Sequence, residues 1–265
     1  KIEESILSFK YAIKINPYNT FQYGNLANAI RDYIWLTQNS LSKKLPDIEE
    51  LILVEKAKLK IKFNKCPLWF IDITRSSSTT IQSMMWEKFG WPHGKGSKLT
   101  NGNLVHQRSL VLANHTPALI AKYLIGEEIW ESLETFSIVR NPYNWCFSLW
   151  QTEKKIFPEL RNKSFIHYLN LLDETLKIKF KHRKIRPRTL RQTDYLLDSN
   201  GKMLVKKLLR FEERETIQSY LISHGISFNS EVHLHKSIKT NNKVSINEKK
   251  LIERIFAKDF EMLGY

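Results

Sequence analysis

Seven consecutive residues, Thr74-Arg75-Ser76-Ser77-Ser78-Thr79-Thr80, place one guanidinium among six hydroxyls. Such a set suits an anion: hydroxyls and backbone N–H groups donate to its oxygens, and arginine adds fixed charge. The stretch follows a nearly continuous apolar run, 68–73, and precedes Ile81, Met84, Met85 and Phe89 at helical spacing, which stops at Gly90 and Pro92. Strand, loop and helix are expected in that order. The loop N–H groups then sit at a helix N-terminus, which carries roughly half a unit of positive charge and seats a phosphate or sulfate. The same hydroxyls would equally cap an ordinary helix. A second candidate is Arg140, at the carboxyl end of an expected strand over 133–139, with Ser148 eight residues on along the following helix. An arginine and a hydroxyl so spaced grip an anion at the edge of a parallel sheet; a helix-capping salt bridge is the plainer use of the pair. The third is His115, where an expected strand at 110–112 meets a helix opened by Thr116-Pro117. With an ordinary pKa of about 6.5, histidine suits proton transfer, although a lone histidine more often serves structure.

The elements that must position these residues follow from periodicity. The first 60 residues read as helices. Ile6, Phe9, Ala12 and Ile13 share one face before Asn16-Pro17, and Phe21, Tyr23, Leu26, Ala27 and Ile30 share another after it. A further amphipathic helix is expected over 46–60. Residues 90–103 read as loop from their glycines, asparagines and proline. A chain of 265 residues, 42% hydrophobic and 12% aromatic, suffices for one sizeable α/β domain with an appendage. The net charge of +15 points to an anionic partner: nucleotide, acidic glycan, nucleic acid or membrane surface. Two cysteines, Cys66 and Cys146, both in apolar stretches, support neither a disulfide framework nor a four-ligand zinc site. No apolar run is long enough to span a bilayer, and no secretory leader opens the sequence, so a reducing, cytoplasmic setting is expected. The Golgi lumen is the alternative for a shortened form of a longer protein. The densest basic run, 177–191, reads as solvated surface or as an attractor of anions, with Phe180 as its single aromatic. His233 and His235 lack a third partner for metal binding. Glu212 and Glu213 follow Phe211 at an expected strand end and are suited to orienting basic residues.

Several separated segments together resemble the sulfotransferase superfamily, especially carbohydrate sulfotransferases that use 3′-phosphoadenosine 5′-phosphosulfate (PAPS). Thr74–Thr80 resembles the 5′-phosphosulfate loop, usually written P-K-T-G-G/S-T, and FSIVRNPYNWCFSLW at 136–150 resembles the 3′-phosphate motif, the more specific of the two. IGEEIWESLETFSIVRNPY at 125–143, LLRFEER at 208–214 and KDFEMLGY at 258–265 extend the likeness over roughly residues 66–265. The resemblance implies a three-layer, P-loop-like α/β fold over 61–265: a parallel sheet flanked by helices, after a helical segment over 1–60. It also implies roles. Arg75 stands where the family has a lysine at the bridging oxygen and sulfuryl group. Ser76, Ser77, Ser78, Thr79 and Thr80 would donate to the 5′-phosphate. Arg140 and Ser148 would hold the 3′-phosphate, and His115, in NHTPA, would take the acceptor's proton. The implied reaction is sulfuryl transfer from PAPS to an acceptor hydroxyl by in-line displacement, most plausibly on a glycan, without a metal. The acceptor would be shaped by residues 93–108 and 150–195. Separately, SFKYAIKINPYNTFQYGNLANAI at 8–30 resembles the junction of two tetratricopeptide repeats, which implies a protein partner; a plain helical hairpin reads as well.

Two departures from the family pattern stand out. Arginine replaces lysine at 75, and a guanidinium does not readily give up a proton, so Arg75 would act by charge alone. The loop also has no glycine, the residue that usually lets backbone approach a phosphate. These departures leave a non-catalytic scaffold with a degenerate sulfotransferase domain as the alternative reading, and the charge leaves a basic nucleic-acid binder as another. With the sulfotransferase reading, no nucleic-acid partner is expected.

Overall fold

The computed structural model describes residues 2–15, 20–38, 67–89, 99–100, 103–104, 115–178, 187–227 and 244–265. A three-stranded parallel sheet forms the centre: β1 (Leu68–Ile71) pairs with β4 (Glu134–Val139), which pairs with β5 (Lys207–Arg210). The middle strand β4 places Phe136 opposite Phe70 and Ile138 opposite Leu209. Every residue of β1 is buried, and only the first of β4 is not. Continuous burial is what a parallel strand covered on both faces requires, and it accounts for the unbroken apolar runs in the sequence. Phe70 and Phe136 stack across the strand pair with ring centroids 5.1 Å apart, and Tyr220 continues the row 5.2 Å from Phe136.

Helices flank this sheet. They are α1 (Ile2–Ile15), α2 (Thr20–Gln38), α3 (Ser78–Phe89), α4 (Ala118–Ile125), α5 (Glu127–Ser132) and α6 (Pro142–Ile156). Further on come α7 (Phe165–Lys177), α8 (Gln192–Leu196), α9 (Arg214–Ser223), α10 (Ile246–Ile255) and α11 (Ala257–Leu263). Helix α6 begins where local chemistry dictates: Asn141 caps it by accepting from the Tyr143 N–H, and Pro142 fills the first position, where no N–H is needed. Ser245 and Glu248 form a reciprocal capping box on α10. Gly126, at φ 92°, joins α4 to α5 in a conformation that favours glycine.

Helices α1 and α2 pack on each other, and α2 also meets α4. Their buried residues Ile6, Leu26, Ile30 and Ile34 belong to the same core as the sheet residues. A two-residue antiparallel pair, β2 (Leu99–Thr100) with β3 (Asn103–Leu104), falls at the end of the stretch expected to be loop and runs one residue past it. Strand β1 ends at Ile71, two residues earlier than the apolar run suggests, because Asp72 and Ile73 leave the ladder to begin the loop. The expected helix at 46–60, the expected strand at 110–112, residues 179–186 of the basic run, and His233 and His235 lie outside the described residues. At this level the molecule is a mixed α/β protein with a small parallel sheet flanked by helices. Among the described residues, no helix is long and apolar enough to cross a membrane.

Candidate functional site

The carboxyl ends of β1 and β4 lie side by side, so the segments leaving them, Asp72–Ser77 and Arg140–Asn141, share one edge of the sheet. That edge is where open α/β sheets bind ligands. The first segment is pinned by its carbonyls. Ile71 O accepts from the Ser137 hydroxyl at 2.8 Å, Thr74 O from the Trp145 indole N–H at 2.8 Å, and Arg75 O from Arg140 Nη1 at 3.3 Å. Ile73 O accepts from the Ser76 N–H at 3.3 Å, which closes a turn. With these carbonyls turned back into the protein, the groups left for a ligand are the N–H groups that precede Thr80 at the start of α3; the Thr80 and Ile81 N–H groups already donate to Ser77 O at 3.1 Å.

The turn needs left-handed backbone at two places, Arg75 (φ 63°) and Ser77 (φ 65°), and neither residue is glycine. Ser77 thus holds a backbone conformation that glycine favours with a side chain that favours it poorly. Ser76 is fully buried, and the hydroxyls of Ser76 and Ser77 have no hydrogen-bond partner. Thr80 is buried one turn into α3. Ser78 and Thr79 supply backbone to that first turn.

Arg75, Arg140 and Ser148 converge here. Arg75 Nε donates to Ser148 Oγ at 3.0 Å, across 73 residues of sequence. Arg140 is buried, with its guanidinium over the Phe211 ring at 4.5 Å and its Nε without a partner. Burial pushes the Arg140 pKa down to about 10; Glu212 opposes that shift, and the neighbouring charge of Arg75 adds to it. Burial also lowers the Arg75 pKa. Two guanidiniums held beside each other, one with an orphaned N–H, form a cationic site that an anion would relieve. The residues present therefore fit a phosphate-bearing ligand in their donors and their charge. The resemblance assigned Arg75 and Ser148 to opposite ends of PAPS, and the structure joins them by a hydrogen bond.

The backbone of Arg140 is clamped in turn. Gln192 accepts from the Arg140 N–H at 2.9 Å and donates to the Arg140 carbonyl at 2.7 Å. Asp259, fully buried in α11, accepts from the N–H groups of Gln192 and Thr193 and from the Thr193 hydroxyl. Glu212 accepts from the Asn141 N–H at 3.0 Å and from the Tyr265 hydroxyl at 3.0 Å, neither of them the basic side chain it was expected to orient.

His115 joins the site through Asp72. Its Nδ1 lies 3.1 Å from Asp72 Oδ2 and 3.2 Å from the Asp72 carbonyl. Both partners are acceptors, so Nδ1 carries the proton and Nε2 is left as the basic nitrogen of the neutral ring. Gln82, from α3, donates to the same carboxylate oxygen. Burial lowers the His115 pKa, but the charge and hydrogen bonds of Asp72 outweigh it, and the net shift is upward; Arg31 of α2 pulls the other way. His115 adopts φ 59°, a third left-handed residue at the same edge.

The structure thus groups all the expected side chains it describes at one sheet edge, and it adds Asp72, Gln82, Gln192 and Asp259. Asp72 had one sequence signal, an acid inside an apolar strand; the others had none. Among the described residues, no group of three or more His, Cys, Asp or Glu is placed to hold a metal. No protein-family profile, curated protein or solved structure matches the chain.

Proposed function

We propose that this protein is a PAPS-dependent sulfotransferase with a P-loop-like three-layer fold that modifies an acceptor hydroxyl on a glycan. The observation that carries the reading is the convergence of Arg75, Arg140 and Ser148, from two separate phosphate-type motifs, beside a His–Asp pair. An ordinary capped helix has no use for the second motif. PAPS, when bound, supplies the sulfuryl group. Arg140 and Ser148 hold its 3′-phosphate, and the α3 N-terminus with Ser76 to Thr80 holds the 5′ end. His115 Nε2 accepts the hydroxyl proton as the acceptor oxygen bonds to sulfur and the bond from sulfur to the 5′-phosphate oxygen breaks. The electron pair of that bond leaves with adenosine 3′,5′-bisphosphate, and Arg75 offsets the charge that gathers there. Asp72 holds the imidazole in the tautomer this step requires.

Isothermal titration with adenosine 3′,5′-bisphosphate tests the reading. The folded protein binds it, and Arg140→Ala weakens binding at least tenfold, since a charged hydrogen bond contributes about 1.5–3 kcal/mol. Absence of binding, or equal binding by the variant, overturns it.

A further inference from the structure

The His–Asp pair has a third member. Asp72 leaves the sheet just after β1 and is buried, and its Oδ2 meets two donors, His115 Nδ1 at 3.1 Å and the Gln82 side-chain amide. Gln82 is buried as well, and its nitrogen faces Asp72 because a carboxylate only accepts. It stands about one helical turn after Ser78, the first residue of α3. The helix that begins with the hydroxyl loop therefore also carries the side chain that meets the partner of the base. One oxygen atom ties together the end of β1, helix α3 and the turn that holds His115.

A carboxylate beside an imidazole favours the imidazolium, and a base that already holds its proton accepts none. At His115 burial works against the charged ring, and Asp72 more than reverses that effect. The elements packed around the pair restrain Asp72 in different ways. Helix α4, which follows His115, packs on α2 and α8. From α2, the buried Arg31, 3.4 Å from Asp32, lowers the proton affinity of His115 by its charge. From α8, burial raises the pKa of Tyr195, which keeps that hydroxyl neutral. From α3, the Gln82 amide turns the positive end of its dipole onto Asp72 Oδ2 and cancels part of the field that the carboxylate imposes on the ring. We propose that Gln82 is a positioning residue for His115: it holds Asp72 Oδ2 against Nδ1 and draws off part of the carboxylate's charge, so that Nε2 stays free to accept a proton. The base role of His115 rests on the sulfotransferase reading; the link from Gln82 through Asp72 to His115 does not.

The test follows the imidazole signals of the full chain by NMR as pH is varied, with His115 assigned by the signals that vanish in His115→Asn. In Gln82→Leu the ring holds its proton several-fold more tightly than in the parent, so the His115 midpoint moves up. Gln82→Met, closer in shape, gives the same upward shift and serves where the leucine variant does not fold. In an Asp72→Asn background Gln82→Leu leaves the midpoint where it is, because the amide acts through the carboxylate. An unmoved or lowered midpoint in the single variants overturns the proposal, as does an upward shift that persists without the carboxylate. A lower melting temperature with an unmoved midpoint would mark Gln82 as a structural partner of Asp72 alone and would also overturn it. Titration of the parent with adenosine 3′,5′-bisphosphate keeps the two readings apart. No binding beside a raised midpoint in the variants removes the sulfotransferase reading and keeps the link; binding beside an unmoved midpoint removes the link and keeps the reading.

Discussion

Ser77 shows what a loop without glycine costs. At φ 65° an L-residue pays roughly 1–2 kcal/mol relative to right-handed backbone, and the buried Ser77 hydroxyl has no partner. Glycine removes both terms and returns about 0.5–1 kcal/mol of that through the freer unfolded chain. Ser77→Gly is therefore expected to stabilise the protein by about 1 kcal/mol, read as a higher urea midpoint at constant slope. A lower midpoint would mean that the hydroxyl is engaged. Arg75, two residues earlier, has the same backbone sign but uses its side chain to reach Ser148, so its strain is coupled to the site. His115 fits the pattern too: its left-handed backbone accompanies the contact of Nδ1 with Asp72.

At the scale of elements, the Arg75–Arg140–Ser148 cluster depends on pieces that lie outside it. Gln192 meets both backbone polar groups of Arg140 as a neighbouring strand would, just where β4 leaves the sheet, and Asp259 fixes the start of α8 that carries Gln192. Gln192→Ala leaves a buried N–H and carbonyl unmet, each worth about 1–3 kcal/mol. The expected outcome is a loss of about 2 kcal/mol in denaturant stability together with weaker bisphosphate affinity, since Arg140 loses its anchor. Unchanged values for both would show that water replaces the amide. These links explain what the sequence could and could not reveal. Strands β1 and β4, the α3 start and the Pro142 start of α6 were legible because continuous apolar runs, a hydroxyl-rich loop and a proline at the first helical position are local signals. Arg75, Arg140 and Ser148 were legible as candidates because each stands at such a boundary. The contact between Arg140 and Gln192 spans 52 residues and that between His115 and Asp72 spans 43, with no local pattern to announce either. Asp72 reads in sequence as one interruption of a strand; its role appears only once α3 and His115 close over it.

Among the described residues, two buried carboxyl groups and His115 shift in the same sense and titrate within the range of ordinary buffers. Burial raises Asp259 to about 6, against the hydrogen bonds from Thr193 and Gln192. Burial raises Glu153 to about 7, against Arg188. Asp72 raises His115 despite desolvation. All three hold protons more tightly in the folded chain than in the unfolded one, where the two carboxyls titrate near 4 and histidine near 6.5. Folding is therefore favoured by protonation: the contribution is complete below about pH 4 and is lost as pH rises through 6 and 7. At the acid end, the exposed pairs of Asp173 with Lys177 and Arg254 weaken, and the repulsion implied by a net charge of +15 grows, so the maximum lies in mildly acid solution. The expected measurement is a melting temperature higher at pH 5.5 than at pH 8. Glu153→Gln, which carries no titrating proton, narrows that difference, because one pKa unit corresponds to about 1.4 kcal/mol and Glu153 moves by more than one. A difference of the same size in Glu153→Gln and parent would place the titration elsewhere, in Asp259 or His115, and Asp259→Asn separates those two: only if Asp259 is responsible does the difference shrink.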